Sequence, residues 1–100
     1  MREVYVVNCC RTAIGSFGGS LKDTPAADLG AAVIKEALNR ANVKPEQVDE
    51  VMFGCILTAG LGQNPARQAA LKAGVPYGVP AYTVGMVCGS GMKSVIEAGR

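Results

Sequence analysis

The sequence predicts an α/β fold in which a mostly parallel sheet carries helices on its faces. Three short apolar runs rich in β-branched residues alternate with three segments of helical spacing, which gives the order β, α, β, α, β, α. Of the 100 residues, 49% are hydrophobic but only 5% are aromatic, so aliphatic side chains and closely packed helices must form the core. Two of the helical segments also begin with a capping residue followed by proline.

The first predicted strand covers residues 3–8 and extends through Cys9 and Cys10. Its run is apolar on both faces, which is typical of a buried parallel strand. We therefore interpret both cysteines as small buried side chains. A glycine-bearing loop follows over residues 11–23. It matches neither the dinucleotide-binding nor the Walker A pattern, so it is interpreted as a connection.

The first helix is predicted over residues 24–41, with Thr24 as its N-cap and proline at its first position. Apolar residues recur along it at a spacing of three to four, which predicts one face packed on a sheet. A polar connection over residues 42–49 leads to the second predicted strand, residues 50–57. Cys55 lies in the middle of this strand and is predicted to be buried.

The second helix is predicted over residues 65–73, capped by Asn64 and ended by Gly74. Its face is lined by alanine, which allows close packing against a neighbour. A turn region with two prolines, residues 75–80, then leads to the third predicted strand, residues 81–84.

The last predicted helix begins at Cys88 or Gly89 and reaches Arg100 without a stop signal. We expect one face of it to carry Met92, Val95, Ile96 and Gly99. Three parallel strands bury too little surface to form a complete sheet. The chain is therefore expected to be the N-terminal portion of a longer protein.

Composition excludes several classes of function. The net charge of +2 comes from ten basic and eight acidic residues scattered singly, so no nucleic-acid partner is expected. No apolar run approaches the roughly 18 residues that a membrane span needs, and no signal peptide is recognisable, so we expect a cytoplasmic protein without a membrane partner. The four cysteines form no C-x-x-C motif and histidine is absent, so neither a disulfide framework nor a metal site is expected.

Cys88 is the candidate nucleophile. It follows the third strand and precedes Gly89, Ser90 and Gly91 at a helix start, where backbone N–H groups and the helix dipole favour a thiolate. Open α/β sheets place functional groups at such strand ends. From the residues alone, a buried structural cysteine is an equally good interpretation.

Three separated motifs bear on this choice: Arg-Thr-Ala-Ile-Gly-Ser-Phe-Gly-Gly at 11–19, Gly-Leu-Gly-Gln-Asn-Pro-Ala-Arg-Gln-Ala at 60–69, and Val-Cys-Gly-Ser-Gly-Met-Lys-Ser at 87–94. In this order and spacing they resemble the thiolase family, especially its short-chain biosynthetic members. One departure is Gly85, where many relatives are expected to have asparagine. The resemblance covers all 100 residues and implies a thiolase-like layered fold, of which residues 1–100 would be the incomplete N-terminal part of the N-terminal domain, without the C-terminal domain.

The resemblance also implies a reaction. Cys88 would take an acetyl group from acetyl-CoA, and a second acetyl-CoA would attack the acetyl-cysteine to give acetoacetyl-CoA and CoA; thiolysis is the reverse. A cysteine suits this chemistry because exchange of one thioester for another costs little free energy. A serine would instead form an oxygen ester, which is so much lower in free energy than a thioester that onward transfer of the acetyl group would be unfavourable. The backbone N–H of Cys88 is suited to stabilise an oxyanion.

Further expectations follow from the same resemblance. The histidine that activates the nucleophile and the cysteine that removes the α-proton belong to later motifs, and neither Cys9, Cys10 nor Cys55 matches that role. Arg67 and Lys93 are interpreted as structural or solvated charges, not as CoA contacts, so no cofactor-binding residue is assigned. No cofactor or prosthetic group is implied, and self-association as a dimer or tetramer is expected.

Other functions remain open from the sequence. Within enzymes they are a longer-chain 3-ketoacyl-CoA thiolase and a ketoacyl synthase that acts on carrier-bound acyl groups. The motif at 60–69 favours a thiolase over the synthase. From a different class, a histidine-free chain of 100 residues is also consistent with an inactive fragment or a thiol-bearing binding module, and the chain alone is expected to be inactive.

Overall fold

The computed structural model describes residues 2–100, which fold into three helices and a parallel two-stranded sheet. The helices are α1 (Ala26–Ala41), α2 (Pro65–Lys72) and α3 (Ser90–Ala98), and a turn of 3-10 helix spans Pro45–Gln47. The strands are β1 (Val51–Gly54) and β2 (Ala81–Val84). The predicted α/β class with a parallel sheet is therefore confirmed.

The two strands pair in a register that sets Val51 beside Ala81 and Gly54 beside Val84. Alternate residues of β1 point to opposite faces of the sheet. On one face, Val51 packs in a core with Ala70 and Val75, and the helices α1 and α2 pack together over it. On the other face, Gly54 lies against the start of α3. The sheet is therefore a middle layer between two layers of helix.

The ends of α1 and α2 follow from the residues found there. Pro25, not Thr24, occupies the N-cap position of α1, so the predicted threonine cap is wrong. At the other end Asn42 adopts the left-handed conformation (φ 54°) and ends the helix. Asn64 caps α2 as predicted: its side chain accepts a hydrogen bond from the Arg67 N–H (3.2 Å).

The first predicted strand is wrong. Residues 3–8 have no regular secondary structure, and the side chains of Val4, Tyr5, Val6 and Val7 are 62–81% exposed. A strand forms only when a neighbour accepts and donates its backbone hydrogen bonds. Within the described part of the chain, β1 and β2 pair with each other and neither pairs with residues 3–8, so the β-prone run forms no strand.

The second predicted strand is shorter than residues 50–57. A hydrogen bond from the Cys55 N–H to the Val84 carbonyl (3.0 Å) closes the ladder beyond β1. Ile56 and Leu57 lie beyond this point and are 54% and 78% exposed. The predicted strand therefore forms only over residues 51–54, of which Val51 is buried and the other three are partly buried.

Helix α3 turns its small side chains, not its large apolar ones, towards the sheet. Its buried residues are Ser90 and Ser94, while Met92, Val95 and Ile96 are 47–74% exposed. Serines four residues apart lie on one face of a helix. This face is small enough to approach the sheet closely, so the apolar side of α3 is turned away from the sheet.

Gly30 marks the closest approach between α1 and the buried face of α2. A Cβ atom at this position would come within 2.8 Å of the Ala69 Cβ. We predict that Gly30→Ala lowers the free energy of unfolding by about 1–2 kcal/mol, because overpacking outweighs the gain in helix propensity. Urea unfolding followed by circular dichroism measures this. The control is Gly78→Ala, where an added Cβ meets no atom within 4 Å. Equal stability of the two variants would contradict the packing of α1 on α2.

Candidate active site

The candidate site is the turn that joins β2 to α3. Cys88 is exposed in this turn, two residues before the first residue of α3. The turn is closed by backbone hydrogen bonds from the Gly89 N–H to the Met86 carbonyl (3.0 Å) and from the Ser90 N–H to the Val87 carbonyl (3.2 Å). The sequence-predicted nucleophile therefore lies at the junction of strand and helix, accessible to a substrate.

Val87 adopts a strained backbone conformation directly before the cysteine. Its φ of 47° lies in the left-handed region, where a β-branched residue is a genuine outlier. Such a conformation costs about 1–3 kcal/mol and persists only where surrounding contacts impose it. Nothing in the sequence indicated this strain, because valine at this position is otherwise typical of an extended strand.

The Ser90 side chain supplies two of the contacts that impose this conformation. Its hydroxyl accepts a hydrogen bond from the Met86 N–H (2.7 Å) and donates one to the Val87 carbonyl (2.7 Å). Ser90 is only 2% exposed. The hydroxyl is therefore a fixed internal part of the turn, not a group that meets solvent or substrate.

Gly54 allows α3 to begin directly against the sheet. A Cβ at Gly54 would come within 2.5 Å of the Gly91 nitrogen and closer still to the Ser90 carbonyl carbon. Both are backbone atoms that cannot move without shifting the helix. A glycine within a predicted strand is the sequence signal that could have revealed this approach.

The motif at residues 60–69 fixes the loops around β2. Asn64, with a φ of 46°, donates from its amide to the Ala81 carbonyl (2.9 Å) and accepts from the Thr83 hydroxyl (2.8 Å). Thr83 in turn accepts from the Ala66 N–H (3.1 Å). The amide of Gln68 donates to the carbonyls of Leu61 and Gln63, each at 2.8 Å. The bonds of Asn64 and Thr83 tie the start of α2 to β2, and those of Gln68 tie α2 to the loop before it.

Arg67 has a structural role within this motif. Its guanidinium donates hydrogen bonds to the carbonyls of Val79 (2.8 Å) and Tyr77 (2.9 Å), and it lies 6.0 Å from the centre of the Tyr77 ring. Both terminal nitrogens of the guanidinium thus donate to carbonyls of the turn that precedes β2. The geometry favours the structural interpretation of Arg67 over a contact to a CoA phosphate.

The other three cysteines lie apart from the candidate nucleophile. Cys10 and Cys55 are partly buried and line a cavity of about 310 Å³, whose lining includes no residue between 84 and 94. Their thiols donate to the carbonyls of Val33 (3.3 Å) and Leu57 (3.4 Å). Cys9 is exposed, so its predicted burial is wrong: the run that contains it forms no strand.

Three further observations concern a metal site, position 85 and membrane crossing. Among residues 2–100, no three or more His, Cys, Asp or Glu side chains gather in a way that would hold a metal ion. At Gly85, where asparagine is expected in many relatives, an added Cβ would meet no atom within 4 Å. No helix in residues 2–100 is both long and apolar enough to cross a membrane.

Comparison with known proteins gives consistent matches. The family model described as "Thiolase, N-terminal domain" matches residues 4–100. An acetyl-CoA acetyltransferase of Cupriavidus necator is 63% identical over 98 residues, which are 98% of this chain and 25% of that protein. A cytosolic acetyl-CoA acetyltransferase of Rattus norvegicus is 56% identical over 97% of this chain and 24% of its own length. An acetyl-CoA acetyltransferase sequence of Clostridioides difficile is 54% identical over 94% of this chain and 88% of its own length. The chain thus spans about a quarter of the length of the first two relatives.

Lys93 forms an ion pair with Glu97 one turn along α3. The hydrogen bond from Lys93, with a smaller contribution from the charge of Arg100, holds the pKa of Glu97 below its usual value of 4.5, although desolvation opposes the shift. Because the folded-state pKa is lowered, the pair contributes stability above pH 4.5, and this contribution is lost as the pH falls through the folded-state value.

We predict that Lys93→Met raises the pKa of Glu97 towards 4.5, since its main hydrogen-bond donor is lost. A carbon-detected NMR titration of the Glu97 carboxyl measures this, with Lys93→Arg as the control that keeps a charged donor. An unchanged Glu97 pKa in Lys93→Met would show that the ion pair does not persist in solution.

Proposed function

Because the chain belongs to the thiolase family, we propose that the complete protein containing it is an acyltransferase that condenses two acetyl-CoA into acetoacetyl-CoA and CoA. In this proposal residues 1–100 are the N-terminal part of the N-terminal domain, and the remaining machinery lies in chain beyond residue 100. The names of the relatives support acetyl-CoA as the substrate. The observation that carries the proposal is the exposed Cys88 at the β2–α3 turn.

The first half-reaction uses residues of this chain. The Cys88 thiolate attacks the carbonyl carbon of acetyl-CoA, a carbon–sulfur bond to Cys88 forms, and the bond to the CoA sulfur breaks. CoA leaves as a thiolate that takes up a proton. The Cys88 backbone N–H stabilises the oxyanion as it develops, since fixed donors aimed at a developing charge lower the barrier.

The second half-reaction forms the new carbon–carbon bond. A second acetyl-CoA loses an α-proton to a base supplied from beyond residue 100, and the resulting carbanion attacks the acetyl group on Cys88. The carbon–sulfur bond to Cys88 breaks and its thiolate is restored. Each bond formed in the two half-reactions is balanced by a bond broken in a thioester or by a proton transfer, so we propose no prosthetic group for the reaction.

This chain lacks the residue type most often used as a general base. Histidine is absent from its sequence. The thiolase resemblance places the histidine that activates the nucleophile in a later motif, beyond residue 100. We therefore propose that this chain alone is inactive.

Two further properties belong to the proposal. We propose a cytoplasmic protein, which the cytosolic relative supports. We also propose self-association as a homotetramer or dimer, which is what the thiolase resemblance implies. Sedimentation of the complete protein would measure the second property, and a monomer would contradict it.

We predict that Cys88 is the residue that carries the acetyl group. Isotope-labelled acetyl-CoA is mixed with the complete protein, the reaction is quenched in acid, and the digest is analysed by mass spectrometry. The label is expected on the Cys88 peptide, and Cys88→Ala is expected to lose both the label and the thiolysis of acetoacetyl-CoA.

Cys9→Ala is the matched control, since Cys9 is the other exposed cysteine of the chain, and it is expected to keep both activities. Labelling of another cysteine, or activity in Cys88→Ala, would contradict the proposal. Transfer from a carrier-bound acetyl group in place of acetyl-CoA would favour a ketoacyl synthase, and faster turnover of long 3-ketoacyl-CoA would favour a longer-chain thiolase.

A further inference from the structure

Ser90 is conspicuous because its hydroxyl bonds to the backbone on either side of the strained residue Val87. It accepts from the N–H of Met86 and donates to the carbonyl of Val87, both at 2.7 Å. A short, unstrained turn would need no such support. The hydroxyl therefore holds a backbone conformation that valine does not otherwise adopt.

The bond to the Val87 carbonyl also determines the orientation of the Cys88 N–H. That carbonyl and that N–H belong to the same peptide group, which is planar. In a trans peptide they point in opposite directions, so a donor that fixes the carbonyl on the inside of the turn fixes the N–H outward. The Ser90 N–H donates to the same carbonyl at 3.2 Å, and the two donors together prevent rotation of the peptide.

The position of Ser90 excludes direct contact with a substrate. It is 2% exposed, and its backbone lies against Gly54 of β1. Any effect of the hydroxyl on the reaction must therefore pass through the turn. Ser94 offers a natural comparison: it is also buried (8% exposed) and its hydroxyl donates to the Gly91 carbonyl at 2.7 Å, but that bond lies within α3 and does not involve the turn.

We propose that Ser90 is a positioning residue for acyl transfer, which orients the Val87–Cys88 peptide so that the Cys88 N–H points at the oxyanion. This inference rests on the proposed function. Loss of the hydroxyl leaves the thiol in place but frees the peptide. The step that needs a directed donor, attack on a thioester, then slows, whereas alkylation of the thiol by iodoacetamide, which forms no oxyanion, does not.

The test compares two rates at Cys88 in the complete protein: acetylation by acetyl-CoA and alkylation by iodoacetamide. Ser90→Ala is expected to slow acetylation about 10- to 100-fold, less than the full loss of an oxyanion donor, while alkylation changes by less than about threefold, as expected for a reaction without an oxyanion. Ser94→Ala is expected to change neither rate. Equal slowing of both rates in Ser90→Ala would overturn the proposal, since it would indicate general damage to the turn.

A second pair of variants keeps the inference testable even if Ser90→Ala does not fold. Ser90→Thr and Ser90→Val have nearly the same shape, but only threonine keeps the hydroxyl, so any cost of the added methyl group cancels. Acetylation is expected to be at least about tenfold faster in Ser90→Thr than in Ser90→Val, because the valine variant lacks the hydroxyl that directs the Cys88 N–H. Equal rates in the two variants would overturn the inference.

The wild-type protein separates this inference from the proposed function. Absence of acetyl-Cys88 in the wild type would overturn the proposed function itself. If the wild type and Ser90→Ala form acetyl-Cys88 at the same rate, the role proposed for Ser90 is overturned and the proposed function is not.

Discussion

The close approach between the backbone of β1 and the start of α3 is the constraint on which the site depends. At Gly54 there is no space for a Cβ, because the Gly91 nitrogen lies 2.5 Å from where it would be. α3 therefore begins directly against the end of the sheet. The chain that leaves β2 has only five residues, 85–89, in which to reach this point. The turn is consequently tight, and Val87 carries its strain.

This constraint also explains which face of α3 lies on the sheet. A helix so close to a sheet must present small side chains to it, and Ser90 and Ser94 fill these positions with hydroxyls that bond to nearby backbone carbonyls. Buried hydroxyls are tolerated when they are hydrogen-bonded. The larger apolar side chains, such as Met92 and Val95, are left on the opposite face. The packing of the Ser90–Gly91 backbone on Gly54 thus fixes both the start of the helix and the position of the cysteine.

A second set of contacts holds β2, the strand that leads into the β2–α3 turn. Asn64 and Arg67 satisfy backbone carbonyls at the start of β2 and in the turn before it. Thr83, near the end of β2, bonds to Asn64 and to the first turn of α2. The strand that delivers Cys88 is therefore fixed along its length. The Asn-Pro-Ala-Arg motif therefore supports this fold through its hydrogen bonds.

Much of this architecture could be predicted from local chemistry. The Asn64–Pro65 cap, the apolar run of β2 and the glycine-flanked Cys88 each indicate their structure through residue types that have few alternatives. Residues 3–8 could not be placed in the same way, because β-propensity reports a preference and not the presence of a partner strand. The face of α3 was also beyond sequence reasoning, since amphipathic periodicity assumes that the apolar side is the buried one. The role of Ser90 depends on the φ of Val87, which no residue type reveals.

The most direct test of this account is the reactivity of Cys88 when the close approach is blocked. Gly54→Ala places a methyl group against the Ser90–Gly91 backbone, whereas Gly78→Ala adds the same group in open space. We predict that acetylation of Cys88 by acetyl-CoA falls at least about tenfold in folded Gly54→Ala protein, as expected when a fixed donor is displaced, and is unchanged in Gly78→Ala. Wild-type acetylation in a folded Gly54→Ala protein would contradict the claim that the seating of α3 on the sheet positions the nucleophile.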